Sequence, residues 1–160
     1  MIKENYVSFE VAKLLKKRGF DETCRTVYVI RDERLVHCTR HNIFDFTNNE
    51  RIKEVGDEDT VILAPTLQMT MKWLEETHHI LVVVDYIYEC TSTSWVYKIY
   101  RLGENGKPER CVVKGVSYGE NNNPTEHITG YRDYELSYKD YASREEAEDE
   151  GIRYVLEKYV

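Results

Sequence analysis

Ile80-Leu81-Val82-Val83-Val84-Asp85-Tyr86-Ile87-Tyr88-Glu89 decides the fold. It is rich in β-branched and aromatic residues and holds neither Gly nor Pro, so it reads as a strand. Side chains alternate along a strand. Ile80, Val82, Val84, Tyr86 and Tyr88 therefore share one face, and Leu81, Val83, Asp85 and Ile87 the other. Both faces are largely apolar, which predicts a central strand with material packed on each side.

Downstream, Trp95–Leu102 reads as a second strand. Asn105-Gly106 reads as a type I′ turn, returning the chain into a third strand over Glu109–Val116. The expectation is a three-stranded antiparallel meander from 80 to 116. Gly119, Asn121-Asn122-Asn123-Pro124 and Gly130 mark 117–133 as a long, irregular, mobile loop. A short strand near Tyr134–Tyr138 closes the sheet.

Upstream, Thr66 caps a helix running to about His78. Leu67, Met71, Leu74 and His78 form one stripe of it. Met69 and Trp73 form a second, about 120–160° round. The second stripe faces either core or a partner. His78-His79 lies at the helix end, where the dipole favours imidazolium. Nearer the start, Ser8 caps a helix over 9–18, with Val11, Leu14 and Leu15 on its apolar face and Gly19 as its stop. Strands at Thr26–Arg31 and Arg34–Thr39 turn at Asp32-Glu33. Ile43-Phe44-Asp45-Phe46 reads as a short strand, Gly56–Asp59 as a loop and Val61-Ile62-Leu63 as a brief apolar segment. At the other end, Ser143-Arg144-Glu145-Glu146 is a capping box opening a helix. Gly151 on its buried stripe predicts close approach to the sheet. The whole, 1–160, reads as a single α+β domain: an antiparallel sheet of about four to six strands with about three helices packed on it.

Net charge is −7, unevenly spread. Residues 1–41 hold nine Lys/Arg against six Asp/Glu, and the remainder 13 against 23. This acidic balance gives no general attraction to a phosphate backbone. No apolar run approaches a membrane span and the start has no signal-peptide pattern. The four cysteines, at 24, 38, 90 and 111, have no C-x-x-C spacing and read as reduced, mostly buried thiols of a cytoplasmic protein.

Three stretches carry a resemblance: Tyr6-Val7-Ser8-Phe9-Glu10-Val11-Ala12-Lys13-Leu14-Leu15 ending at Gly19-Phe20, Ala64-Pro65-Thr66-Leu67-Gln68-Met69 with Met71-Lys72-Trp73-Leu74, and Trp95-Val96-Tyr97-Lys98-Ile99-Tyr100. Together they cover about a quarter of the chain, and it resembles small proteins of unknown function from gut Bacteroidetes and their tailed phages. The resemblance implies a cytoplasmic protein linked to phages or mobile elements. It brings no activity and no catalytic residues.

Motifs for named chemistry are missing. No phosphate-binding glycine loop, G-x-S-x-G or H-E-x-x-H occurs. His37 and His41 would face one ion on a helix, but on a strand they stand about 13 Å apart. With Cys38, Cys24, His78 and His79 they make no metal set, so neither metal nor cofactor is expected. Tyrosine is the compositional anomaly: of 13, eleven lie from Tyr86 onward. Tyrosine offers stiff contact area with a polar tip, which suits recognition surfaces as well as half-buried packing.

The leading expectation is a non-enzymatic interaction protein. It would bind another protein, or a second copy of itself, through Trp73, Met69, Tyr88, Tyr97, Tyr100, Tyr131 and Tyr134. One alternative is nucleic-acid binding by the basic first helix, through Lys13, Lys16, Lys17 and Arg18. Another is a small-molecule or enzymatic pocket lined by Trp73, Trp95, His78 and Asp85.

Overall fold

The computed structural model describes residues 4–37, 61–89, 92–118, 124–137 and 139–160. The expectations for Ile43–Phe46, Gly56–Asp59, Cys38, His41, Cys90 and Tyr138 lie outside the described residues.

The fold is α+β. Its elements are α1 (Phe9–Lys17), β1 (Thr26–Val29), β2 (Arg34–His37), β3 (Val61–Leu63), α2 (Leu67–His78), β4 (Ile80–Glu89), β5 (Ser92–Arg101), β6 (Cys111–Tyr118), β7 (Pro124–Arg132), β8 (Glu135–Leu136) and α3 (Arg144–Lys158).

Helix ends follow local chemistry. Ser8, Thr66 and Ser143 each accept the backbone N–H three residues on, satisfying a donor that the first turn leaves free. Glu146 reaches back to the N–H of Ala142, one residue before the cap. At the end of α1, Gly19 is left-handed (φ 83°) and Phe20 N–H returns to Leu15 O at 3.0 Å, a Schellman closure that seats Phe20 in the core. At the end of α2, His79 takes the left-handed position (φ 57°) and delivers the chain directly into β4.

Among the described residues the strands fall into three ladders instead of one sheet: β2-β1-β3, β4-β5-β8 and β6-β7. The meander expected from 80 to 116 is therefore corrected. β4 and β5 pair over their full length, from Ile80 opposite Arg101 to Glu89 opposite Ser92. β5's second edge is then taken from several places: Glu109 N–H bonds Arg101 O, Glu135 and Leu136 pair with Ile99 and Lys98, Ser137 N–H bonds Tyr97 O, and Trp95 exchanges bonds with Tyr141. That leaves β6 no place on β5, and it pairs with β7. Accordingly, 117–133 is not a long loop: 124–132 is strand, opposite 111–118. The Asn105-Gly106 turn is present. It closes by Gly106 N–H to Gly103 O (2.8 Å), followed by Gly106 at φ 69°, a turn capped by a left-handed Gly instead of type I′.

One core joins the helices to two ladders. Val11 and Leu15 of α1, Val27, Val61, Ile62 and Leu63 of the first ladder, Leu67 and Leu74 of α2, Ile99 of β5, and Ile152, Val155 and Leu156 of α3 are all buried in it. Gly151 lies against the sheet: a Cβ there would stand 2.9 Å from Val82 Cγ1 and 3.1 Å from Tyr97 Cγ. Cys24 and Cys111 are buried.

Candidate interaction surface

The seven residues expected to bind a partner are divided by the fold. Opposed residues of β4 and β5 share a face, so Val82 and Ile99, Val84 and Tyr97, and Tyr86 and Trp95 point the same way. This face carries α2 and α3. Tyr97 is only 5 % exposed, packed between the tilted rings of Tyr141 (5.8 Å) and Tyr154 (5.9 Å). Burial, aided by the neighbouring Tyr141, pushes its hydroxyl pKa far above the usual value. Trp73 is 7 % exposed, edge-on to Phe20 at 5.3 Å and to His78 at 4.6 Å. Both Trp73 and Tyr97 are core, which removes them from any partner surface. Met69, on the same expected stripe as Trp73, is exposed, with its sulfur 3.7 Å from Cys24 Sγ. The stripe straddles the edge of the core, so its two members have different surroundings.

Tyr100 and Tyr134 lie elsewhere. Tyr100, opposite Leu81, belongs to the other face of the β4–β5 pair. Its ring meets Tyr134 at 5.3 Å, and Lys98 Nζ stands 5.0 Å over Tyr134 while pairing with Asp85. Both tyrosines are half-buried in this polar-aromatic packing. Tyr131 is 62 % exposed on β7, near the equally open Ile128 in sequence.

Tyr88 is 77 % exposed and Tyr86 53 %. Burial falls steadily along this side of β4: Ile80 and Val82 are buried, Val84 is half-buried, and the two tyrosines are open. Tyr86 rests on Trp95 at 5.0 Å, which holds its ring out as a platform. Tyr86 was not among the expected partner residues. Alternation puts it beside Tyr88, and that was the available signal.

The backbone of β4 adds to this surface. His79 O accepts from Leu102 N–H, and bonded pairs alternate along an antiparallel ladder. Leu81, Val83, Asp85 and Ile87 thus direct their N–H and C=O toward β5. Ile80, Val82, Val84, Tyr86 and Tyr88 direct theirs to the outer edge. Among the described residues no strand pairs with that edge. β4 carries no Pro, no Lys and no bulge, the devices that usually protect an edge. Its one mid-strand charge, Asp85, is engaged by Lys98.

The alternatives fare differently. Lys13, Lys16, Lys17 and Arg18 are exposed on α1, with Lys13 paired to Glu10 at 2.6 Å and lying over Phe9. Trp73, Trp95, His78 and Asp85 do not converge, because Asp85 and Trp95 occupy opposite faces of one ladder. Burial lowers the His78 pKa, with His79 adding to the effect, which opposes the helix end's preference for imidazolium. A 240 Å³ polar cavity lies between the starts of α2 and α3. Its carboxylates are already engaged: Glu4 by Tyr6, Glu145 by Asn5 and Glu148 by Arg144. Among the described residues no three His, Cys, Asp or Glu side chains gather as a metal set, and no helix is long and apolar enough to cross a membrane. His37 instead shares a hydrogen bond with Thr26 at 3.0 Å.

Compared with protein-family models, curated proteins and solved structures, the chain matches none.

Proposed function

We propose that this chain is a non-enzymatic interaction protein that binds another protein through the aromatic end of β4. Tyr88 and Tyr86, open on a strand whose outer edge is unpaired among the described residues, carry the reading. Two stiff rings with hydroxyl tips beside backbone groups that no described strand pairs are what strand-addition recognition uses: backbone bonds give affinity and alternate side chains give specificity. Tyr131 and Ile128 on β7 form a second exposed apolar site. A cytoplasmic, phage- or mobile-element-linked setting belongs to the same reading and rests on the resemblance of the three stretches between Tyr6 and Tyr100.

The test is photo-crosslinking in cells that naturally express the chain, with a benzophenone amino acid at position 88, at 131, or at the exposed turn residue Glu104. A discrete protein adduct at 88, and none at 104, is the expected result. Equal labelling at all three positions, or no adduct at 88, would refute the reading.

A further inference from the structure

We propose that the β6–β7 ribbon is a self-association surface: a second copy of this chain packs its own ribbon on it, face to face and antiparallel, about a twofold axis. The ribbon is a different pair of strands from the β4 surface, so this dimer stands or falls apart from the β4 reading.

A β-bulge makes the face. Lys114 stands opposite Ile128 and Val113 opposite Gly130, which leaves Thr129 as an extra residue in β7. Its hydroxyl donates to Val113 O at 3.1 Å and ties the bulge to the ladder. On an even strand Ile128 and Tyr131, three apart, would point to opposite sides. Here they stand opposite Lys114 and Val112, two apart on β6, and so share one face. Both are open, at 61 % and 62 % exposure. The other face is the covered one at the ribbon's base, where Cys111 is buried and Val113 half-buried. In the same register the open face takes Val112, Lys114, Val116 and Tyr118 from β6, and Pro124 and Glu126 from β7. It is an apolar face with one charge of each sign.

Such a ribbon needs a cover. β6 and β7 pair with no third strand among the described residues, and a two-stranded ribbon with nothing against it is marginal in water. Charge selects a second copy as that cover. Each chain carries −7, so two copies repel over most of their surface, but this face sums to zero. Laid antiparallel on its copy, the row of Val112 and Tyr131 meets the row of Tyr118 and Pro124. The row of Lys114 and Ile128 meets that of Val116 and Glu126. Lys114 then approaches Glu126 of the second copy, twice per dimer, while the remaining contacts are apolar. Area sets the strength. Eight residues of β6 at about 3.3 Å each, with two strands side by side, give a face about 26 Å long and 10 Å wide. Two such faces with their side chains bury on the order of 1,000 Å², the lower end of specific interfaces. The dimer is therefore weak and reversible, with a dissociation constant on the order of micromolar or above.

Sedimentation velocity on the full chain, from low micromolar to near-millimolar concentration, tests this. A species of twice the 19.0 kDa chain mass should grow in as concentration rises. Ile128→Lys/Tyr131→Lys replaces only exposed side chains and should weaken the dimer at least about tenfold, with the circular dichroism and unfolding midpoint of the diluted chain unchanged. Tyr86→Lys/Tyr88→Lys, which charges the open end of β4 instead, should leave the dimer intact. A wild-type chain that stays monomeric over the whole range overturns the proposal, as does a dimer indifferent to the ribbon variant. A dimer lost in the β4 variant overturns it too, because self-association would then run through β4.

Discussion

Gly151 of α3 and Val82 of β4 meet so closely that no side chain fits between them: a Cβ on Gly151 would lie 2.9 Å from Val82 Cγ1. Helix propensity alone makes Gly→Ala favourable by about 1 kcal/mol. Here the added methyl would also press on Tyr97 Cγ and Cβ at 3.1 and 3.2 Å, ring-and-stem atoms that α3 and the sheet hold on both sides. Overpacking costs typically about 1–3 kcal/mol, so the sign reverses. Gly151→Ala should lower the unfolding midpoint by a few degrees, read by thermal circular dichroism. Combining it with Val82→Ala should recover part of that loss, because the two atoms in conflict belong to one contact.

Trp73 and Tyr88 separate core from surface among the aromatic residues. Trp73→Ala empties a site bounded by Phe20 and His78 and should cost about 3–5 kcal/mol. Tyr88→Ala should cost within about 0.5 kcal/mol at concentrations where the chain is monomeric. Urea denaturation of both variants measures the difference directly. A large loss at Tyr88 in the monomer would mean that its ring is packed.

Local chemistry was legible and long-range pairing was not. Ser8, Thr66 and Ser143 mark their helices because a cap acts within three residues. Ile80–Glu89 is readable because alternation repeats over ten positions. Gly151 betrays a close approach because little else puts Gly on a buried helix stripe. By contrast, nothing near Cys111 says that β5's second edge is already filled by residues 109, 135–137 and 141. So local patterning carries the meander too far, and Asn121-Asn122-Asn123-Pro124 makes 124–132 read as loop. Trp73 and Met69 share a stripe by helical spacing. Which of them enters the core depends on Phe20, more than fifty residues away. The same limit explains Tyr86 and Tyr88: they alternate in step with Ile80 and Val82, and only the fold decides which of the four are covered.

His79 offers a test of the α2–β4 junction. It holds a left-handed conformation (φ 57°) that costs a side-chain-bearing residue roughly 1 kcal/mol or more, and its side chain is exposed. Glycine adopts that conformation freely, although it loses more entropy on folding. His79→Gly should leave stability unchanged or raise it by up to about 1 kcal/mol. His79→Val, β-branched, should lower it. Chemical denaturation of the pair checks the order.

Glu135 ties β8 to the end of α3 and sets an acid-sensitive contribution. Its carboxylate accepts from Tyr154 at 2.8 Å, from Lys158 at 2.9 Å and from Tyr159. Burial alone would raise its pKa. The hydrogen bonds from Tyr159, Lys158 and Tyr154, with the Lys158 charge, outweigh that and hold it below the ordinary glutamate value. A carboxylate depressed in the folded state binds protons more readily when unfolded. Its contribution is therefore complete above the unfolded pKa, near 4.3, and is lost as pH falls through the lower folded value. Glu135→Gln keeps the shape but removes the charge that Lys158 and both hydroxyls address. At neutral pH it should cost about 1–2 kcal/mol, the scale of charge-assisted hydrogen bonds discounted for partial exposure. The difference from wild type should shrink as the pH drops below about 4, where the wild-type carboxylate also becomes neutral. Urea unfolding of the two proteins from neutral to acid pH tests this, and a gap that stays constant through the acid range would mean Glu135 contributes by packing instead of charge.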